Sequence, residues 1–110
     1  MSATLSKIKR LEEYFSLMGG RPETGVWNLA LDKLVAREIA HLRADMTRLE
    51  AELTEFERRY GQTSAEFYAQ FERGELGDSA DFMEWSATYE MVQNLHARLA
   101  VLSGEEAEGQ

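Results

Sequence analysis

The sequence predicts an all-α protein: a long antiparallel helical hairpin or coiled coil with a short connecting helix and an N-terminal amphipathic helix. Three observations indicate this fold. No segment alternates apolar and polar residues with the period of two that a half-buried strand requires. The only proline among the 110 residues is Pro22, so long uninterrupted helices are permitted. Two long segments repeat apolar residues in heptads, which is typical of helices that pack along their length.

Residues 1–18 form the first predicted helix, because their apolar residues recur at spacings of three and four and share one helical face. These residues are Leu5, Ile8, Leu11, Phe15 and Met18. Residues 19–25 form a predicted linker, since they contain two glycines followed by a proline, which do not readily continue a helix. Residues 26–104 are predicted to form the hairpin.

The long helix of the hairpin is predicted over residues 28–60, where no glycine or proline occurs. Its apolar residues form two columns: Val35, Leu42, Leu49 and Phe56 in one, and Ile39, Met46, Leu53 and Tyr60 in the other. This alternation of four and three residues predicts a narrow apolar stripe along the helix. Because the helix that returns along it is shorter, we expect the overhanging part to be covered by the first helix, a second copy or a foreign partner.

The short connecting helix is predicted over residues 63–73. Gly61 ends the long helix, and Thr63 with Glu66 forms a predicted capping box. Eight aromatic residues lie in and around this segment: Phe56, Tyr60, Phe67, Tyr68, Phe71, Phe82, Trp85 and Tyr89. They either form only the core at this end of the hairpin or form that core and also contact a partner.

The last helix is predicted over residues 79–102, with Asp78 as its N-cap. It also has two predicted columns: Trp85, Val92 and Leu99 in one, and Phe82, Tyr89 and His96 in the other, with Leu95 and Leu102 widening the stripe. Residues 105–110 are predicted to form a short acidic tail.

The charge of the chain is concentrated in its C-terminal part. Residues 1–48 contain eight Lys or Arg and six Asp or Glu, whereas residues 49–110 contain four and fourteen. An acidic surface repels nucleic acid and attracts basic proteins, although the same charge also keeps a protein soluble. We therefore expect no direct binding of nucleic acid.

The composition also bears on the compartment of the protein. The chain contains no cysteine, so disulfides and cysteine-ligated zinc are excluded. No apolar run approaches the roughly 20 residues of a membrane span, and residues 1–10 lack the apolar core of a signal peptide. We expect a cytoplasmic protein without membrane contact.

No catalytic, cofactor-binding or metal site is predicted. Glu38 and His41 match the Glu-x-x-His element of di-iron helical bundles, but such sites need a second copy of this element and two further carboxylates. Both residues also lie off the apolar columns. His96 lies on the apolar stripe and is interpreted as a core or edge residue. The sequence contains no phosphate-binding loop and no nucleophile elbow.

One part of the sequence resembles a known group of proteins. The pattern consists of Glu55-Phe-Glu57, Tyr60, Ser64-Ala-Glu-Phe67, Phe71-Glu-Arg-Gly-Glu-Leu-Gly-Asp78 and Asp81-Phe-Met-Glu-Trp85. It is similar to that of small prokaryotic coiled-coil proteins, some of which are regarded as antitoxin-like partners of small toxins. The resemblance covers about a third of the chain and implies neutralisation of a toxin by direct contact.

The first functional hypothesis is therefore an antitoxin-like protein that binds a small basic, toxin-like protein. The predicted partner-binding residues are the apolar anchors Phe71, Leu76, Phe82 and Trp85 and the acidic residues Asp78, Asp81 and Glu84. The alternative is a homo-oligomeric coiled-coil scaffold or adaptor, such as a homodimer, with no toxin partner. A third hypothesis, a di-metal carboxylate enzyme, has only the single Glu38 and His41 motif in its favour.

Overall fold

The computed structural model describes residues 2–18 and 25–104, which form four α-helices. These are α1 (Ala3–Leu17), α2 (Gly25–Tyr60), α3 (Ser64–Glu72) and α4 (Ala80–Ser103). The all-α prediction is confirmed, with boundaries within three residues of those predicted. Gly25 belongs to α2 and not to the linker, while the rest of the predicted linker and the acidic tail lie outside the described residues.

The chain divides into two units, Met1–Ala36 and Arg37–Gln110, here called the N-terminal unit and the hairpin unit. The hairpin unit contains the rest of α2 together with α3 and α4. None of the described helices has the length and apolar character needed to span a bilayer.

Most of the residues predicted to end or cap the helices do so in the structure. Gly61 follows α2 with a φ of 69°, a left-handed conformation that glycine adopts without strain. Thr63 caps α3 and forms the predicted capping box with Glu66. The N-cap of α4 is Ser79 and not Asp78, because the Ser79 hydroxyl accepts the hydrogen bond from the backbone N–H of Phe82 at 3.2 Å.

The core of the hairpin unit lies between α2 and α4, which run antiparallel. Arg59 near the end of α2 contacts Asp81 near the start of α4 at 2.7 Å, whereas Glu38 lies 3.9 Å from Arg98. The buried side chains of α2 are Leu42, Met46, Leu49, Leu53 and Phe56, all from the two predicted columns. The heptads of this part of α2 therefore pack against α4 of the same chain.

The buried face of α4 differs from the predicted one. Trp85 and Val92 are buried as expected, but Thr88 and Leu95 are buried beside them, so these positions form the second column. His96, placed in that column by the sequence pattern, is exposed, and its Nε2 atom lies 3.6 Å from an Oε2 atom of Glu50. Of the two predicted positions for His96, in the core or at its edge, the structure supports only the edge.

Helix α3 covers one side of α4 at the end of the hairpin. The ring of Phe67 stacks on that of Trp85 with centroids 3.9 Å apart and planes 3° apart, and both side chains are 0% exposed. Phe67 also contacts Phe82 at 5.3 Å, and Tyr68 contacts Tyr89 at 4.8 Å. Because α3 covers Phe82 and Tyr89, both are half-buried, and Phe82 also contacts Tyr60 of α2 with ring centroids 5.3 Å apart.

A buried hydrogen bond accompanies this stacking. The indole N–H of Trp85 donates to Ser64 Oγ at 2.9 Å, and Ser64 is itself buried. We expect Ser64→Ala to lower the free energy of unfolding by about 1–3 kcal/mol, because it leaves a buried N–H without an acceptor. Urea denaturation followed by circular dichroism measures the change. Thr54→Ala, which removes an exposed hydroxyl from α2, is the control, and an equal effect of the two substitutions would contradict the expectation.

The N-terminal unit contains α1 and the first residues of α2. Ser2 caps α1 by accepting hydrogen bonds from the backbone N–H groups of Thr4 and Leu5. The rings of Phe15 and Trp27 meet edge to face with centroids 5.2 Å apart. No side chain of α1 is buried, so this unit has much less core than the hairpin unit.

Candidate protein-binding surfaces

The predicted anchor Trp85 is part of the core of the hairpin unit. Besides the stack with Phe67, its ring contacts those of Phe56 and Tyr60 at 5.4 Å and 5.6 Å. A side chain with no exposed surface does not contact a partner directly. The prediction of Trp85 as a partner-binding anchor is therefore corrected: this residue holds α2, α3 and α4 together.

The other three predicted anchors are half-buried. Phe71, Leu76 and Phe82 pack against the core and keep part of each side chain in solvent. They border the segment that joins α3 to α4, where Gly74 has a φ of 74°. These side chains can still offer apolar edges to a partner, but each already has a structural contact.

The predicted acidic residues differ in their surroundings. Asp81 accepts hydrogen bonds from the hydroxyl of Tyr60 and from the guanidinium of Arg59. The bond from Tyr60, together with Arg59, lowers the pKa of the Asp81 carboxyl below its ordinary value. Asp81 thus links α2 to α4, whereas Asp78 and Glu84 are exposed.

An acidic cluster at the contact of α3 with α4 was not predicted. The hydroxyl of Tyr68 donates to Glu90 Oε2 at 2.5 Å. This bond, with a contribution from nearby Glu72, raises the pKa of Tyr68 to about 12. The spacing of Tyr68 and Glu72 on α3 indicates that they share a face, but only the packing of α3 on α4 brings Glu90 to them.

An open groove of about 440 Å³ lies between α2 and α4. Its apolar surface comes from Leu49, Ala87, Met91 and Leu95. The polar residues around it carry charges of both signs and are Asp45, Arg48, Glu90, Asn94 and Arg98. The mixed charge indicates no particular class of ligand.

The two residues of the di-iron motif lie among exposed side chains of α2. Glu38 and His41 are both exposed, and a carboxylate oxygen of Glu38 lies 3.9 Å from the guanidinium of Arg98. Within residues 2–18 and 25–104, no group of three or more potential ligands is placed to hold a metal ion.

The N-terminal unit carries the largest set of exposed apolar side chains among the described residues. Eight are exposed: Leu5, Ile8, Tyr14, Leu17, Val26, Leu29, Leu31 and Leu34. Beside them, Lys7, Arg10, Leu11 and Trp27 line a shallow pocket of about 380 Å³. The sequence pattern predicted an apolar face on the first helix and an overhanging part of α2 that a further contact must cover, but a helical periodicity does not reveal which apolar side chains stay exposed.

The relationship of the chain to known proteins was tested at three levels. Comparison with protein-family models, with curated protein sequences and with solved structures found no match.

Proposed function

We propose that this chain is a non-catalytic, antitoxin-like protein that neutralises a small basic protein by direct contact in the cytoplasm. The contact surface consists of α3, the segment that joins it to α4, and the first turns of α4. One observation carries the proposal: Glu72, Asp78 and Glu84 are exposed there, and no basic side chain in the described part of the chain lies within 4.0 Å of them.

Other carboxylates of the hairpin unit, including Glu75 and Asp81 at the contact surface itself, are paired with arginines. Arg48, Arg58, Arg59, Arg73 and Arg98 each lie within 4.0 Å of a carboxylate. Glu72, Asp78 and Glu84 have no such partner among the described residues and are left to interact with charges from outside the chain. Such groups accelerate association with a basic protein and select against acidic ones.

Apolar edges next to these carboxylates support binding of a protein and not only of small cations. Phe71, Leu76 and Phe82 each expose part of a side chain whose remainder is fixed by the core. Rigid apolar groups beside charged ones are typical of protein interfaces, because they lose little conformational entropy on binding. Trp85 contributes indirectly, by holding the helices that carry these groups.

The cluster of Tyr68, Glu72 and Glu90 offers a place for one basic side chain. Two carboxylates near one phenol ring attract a lysine or arginine head group, which also interacts favourably with the ring face. The resemblance of residues 55–85 to antitoxin-like coiled-coil proteins supports the proposal that this basic side chain belongs to a toxin.

The proposal predicts that reversing two of the free charges weakens the complex. The partner is first captured from the native host with the tagged chain and identified. The captured protein is then purified, and the product of the neighbouring gene is purified as a second candidate partner. We expect Glu72→Lys with Glu84→Lys to raise the dissociation constant about 10- to 100-fold, measured by calorimetry at two salt concentrations. The loss should be smaller at high salt, because ions screen exposed charges.

The matched control changes the net charge equally at another place in the hairpin unit. Glu38→Lys with Glu50→Lys alters two exposed carboxylates of α2 that lie near Arg98 and His96, at the other part of the hairpin. Equal weakening by both pairs would show only a general charge effect and contradict the proposed surface. Failure to capture any basic protein, or to relieve growth arrest on co-expression, would favour the alternative of a homo-oligomeric scaffold without a toxin partner.

A further inference from the structure

The N-terminal unit exposes a large apolar surface and buries little of its first helix. Leu17 is 89% exposed, and Val26 and Leu34 are 72% and 62% exposed. Phe15 of α1 contacts Trp27 of α2, but no side chain of α1 is buried. A helix of 15 residues with so little burial is marginal in water, so further contacts are needed to stabilise it.

Exposed apolar side chains are present on both helices of the unit. Leu5 and Ile8 of α1 are 58% and 55% exposed, and Leu29 and Leu34 of α2 are 58% and 62% exposed. Copies that meet through such side chains remove apolar surface from water, which favours association.

The charges of the two units indicate where copies of this chain can meet. Residues 1–36 contain five Lys or Arg and four Asp or Glu, whereas residues 37–110 contain seven and sixteen. Two hairpin units repel each other, and their heptad face is already packed against α4. Two N-terminal units are close to neutral and approach without that repulsion.

The order of charges along α1 is self-complementary. Lys7, Lys9 and Arg10 come first, and Glu12 and Glu13 follow. None of the five lies within 4.0 Å of an opposite charge on another described residue. When two copies of α1 lie antiparallel about a twofold axis, the basic part of each helix faces the acidic part of the other.

The pocket beside Trp27 is also suited to side chains of a second copy of this chain. It combines the apolar Leu11 and Trp27 with the basic Lys7 and Arg10, and so suits an apolar side chain next to a carboxylate. Ile8 and Glu12 are exposed one turn apart on α1, which provides this combination on a second copy.

We infer that two copies of this chain associate through α1 and the first twelve residues of α2. This surface is separate from the one proposed to bind the basic protein, and the inference does not depend on that function. Self-association is measured on the purified full chain alone, so either proposal can fail without the other.

Sedimentation velocity over about a hundredfold range of concentration tests the inference. We expect a reversible monomer–dimer equilibrium for the unmodified chain. Ile8→Glu with Leu34→Glu should raise the dimer dissociation constant about 100-fold or more, because it places charges in the apolar interface. Met91→Glu with Val101→Glu, which changes two similarly exposed residues of the hairpin unit, should change it less than about twofold.

A charge exchange provides the second test. Lys9→Glu with Arg10→Glu should weaken the dimer about tenfold, and adding Glu12→Lys with Glu13→Lys should restore it, because opposite charges then face each other again. All of these residues are exposed, so circular dichroism should show unchanged helix content.

Three results would overturn the inference. The first is that the chain stays monomeric at every concentration. This result would count against the inference even if the N-terminal unit bound a foreign protein. The second is a dimer that the Met91 and Val101 variant dissociates and the Ile8 and Leu34 variant does not. The third is a charge exchange that fails to restore association.

Discussion

Replacing Trp85 with Ala is expected to lower the free energy of unfolding of the hairpin unit by about 3–5 kcal/mol. The indole is 0% exposed and contacts aromatic rings from α2 and α3, so the substitution leaves a large cavity where three helices meet. The hydrogen bond to Ser64 is lost at the same time. A domain of ordinary stability has only about 5–15 kcal/mol in total, so much of the population would unfold on mild heating.

Urea denaturation followed by circular dichroism measures this loss. Met83→Ala is the matched control, since Met83 lies two residues earlier on α4 and is 54% exposed; we expect a change within about 0.5 kcal/mol. A Trp85→Ala chain of undiminished stability that no longer binds its partner would reverse the conclusion. It would show that Trp85 is a contact residue, as the sequence pattern suggested.

Replacing Val92 with Asp is expected to destabilise the hairpin unit by more than about 4 kcal/mol, enough to separate α4 from α2. Val92 is buried in the middle of α4, on the face that packs against α2. The introduced side chain has a similar size, so the effect comes from burial of a charge and not from a change in volume. Gln93→Asp, at the next and exposed position, is the control and should be nearly neutral.

The pH dependence identifies the cause of this effect. Burial raises the pKa of the introduced carboxyl in the folded state above its unfolded value of about 4. The part of the destabilisation that comes from the charge is therefore complete above the folded pKa and disappears as the pH falls below the unfolded pKa, where the neutral acid is present in both states. A loss of stability that is equal at all pH values would contradict burial of a charge and indicate a steric effect.

The long helix could be predicted because its signal is local. A stretch without glycine or proline forms one helix, and a heptad pattern states which side becomes buried. In the hairpin unit, Leu42, Leu49 and Phe56 occupy the positions that the pattern assigned to them. The one-residue error at the start of α4 arose because Asp78 and Ser79 are both good caps, and only the backbone geometry selects between them.

The face of α4 was harder to predict because it depends on α3. Thr88 has a hydroxyl and so does not count as apolar, yet it is buried between apolar neighbours. By spacing, Phe82 and Tyr89 share a column with His96, but α3 covers the first two and does not cover the third. Burial of Trp85 follows from the same packing of α3, which no periodicity describes.

For the candidate surfaces, too, some features follow from the sequence and others depend on contacts between helices. The acidic character of the C-terminal part follows directly from composition, whereas the pairing of Asp81 and the cluster around Tyr68 depend on contacts between helices. The sequence predicted the overhang of α2 and the apolar face of α1, but the extent of their exposure required the structure, because an amphipathic sequence looks the same whether its apolar face is covered or free.

Each unit contains one of the two tryptophans of the chain, in a different environment. Trp85 is enclosed among rings, and Trp27 is half-buried beside Phe15. Intrinsic fluorescence therefore reports on both units, and replacing either indole with phenylalanine leaves a spectroscopic probe confined to the other. Quenching by a neutral quencher such as acrylamide would then distinguish an event at α1 from one at α3 without any added label.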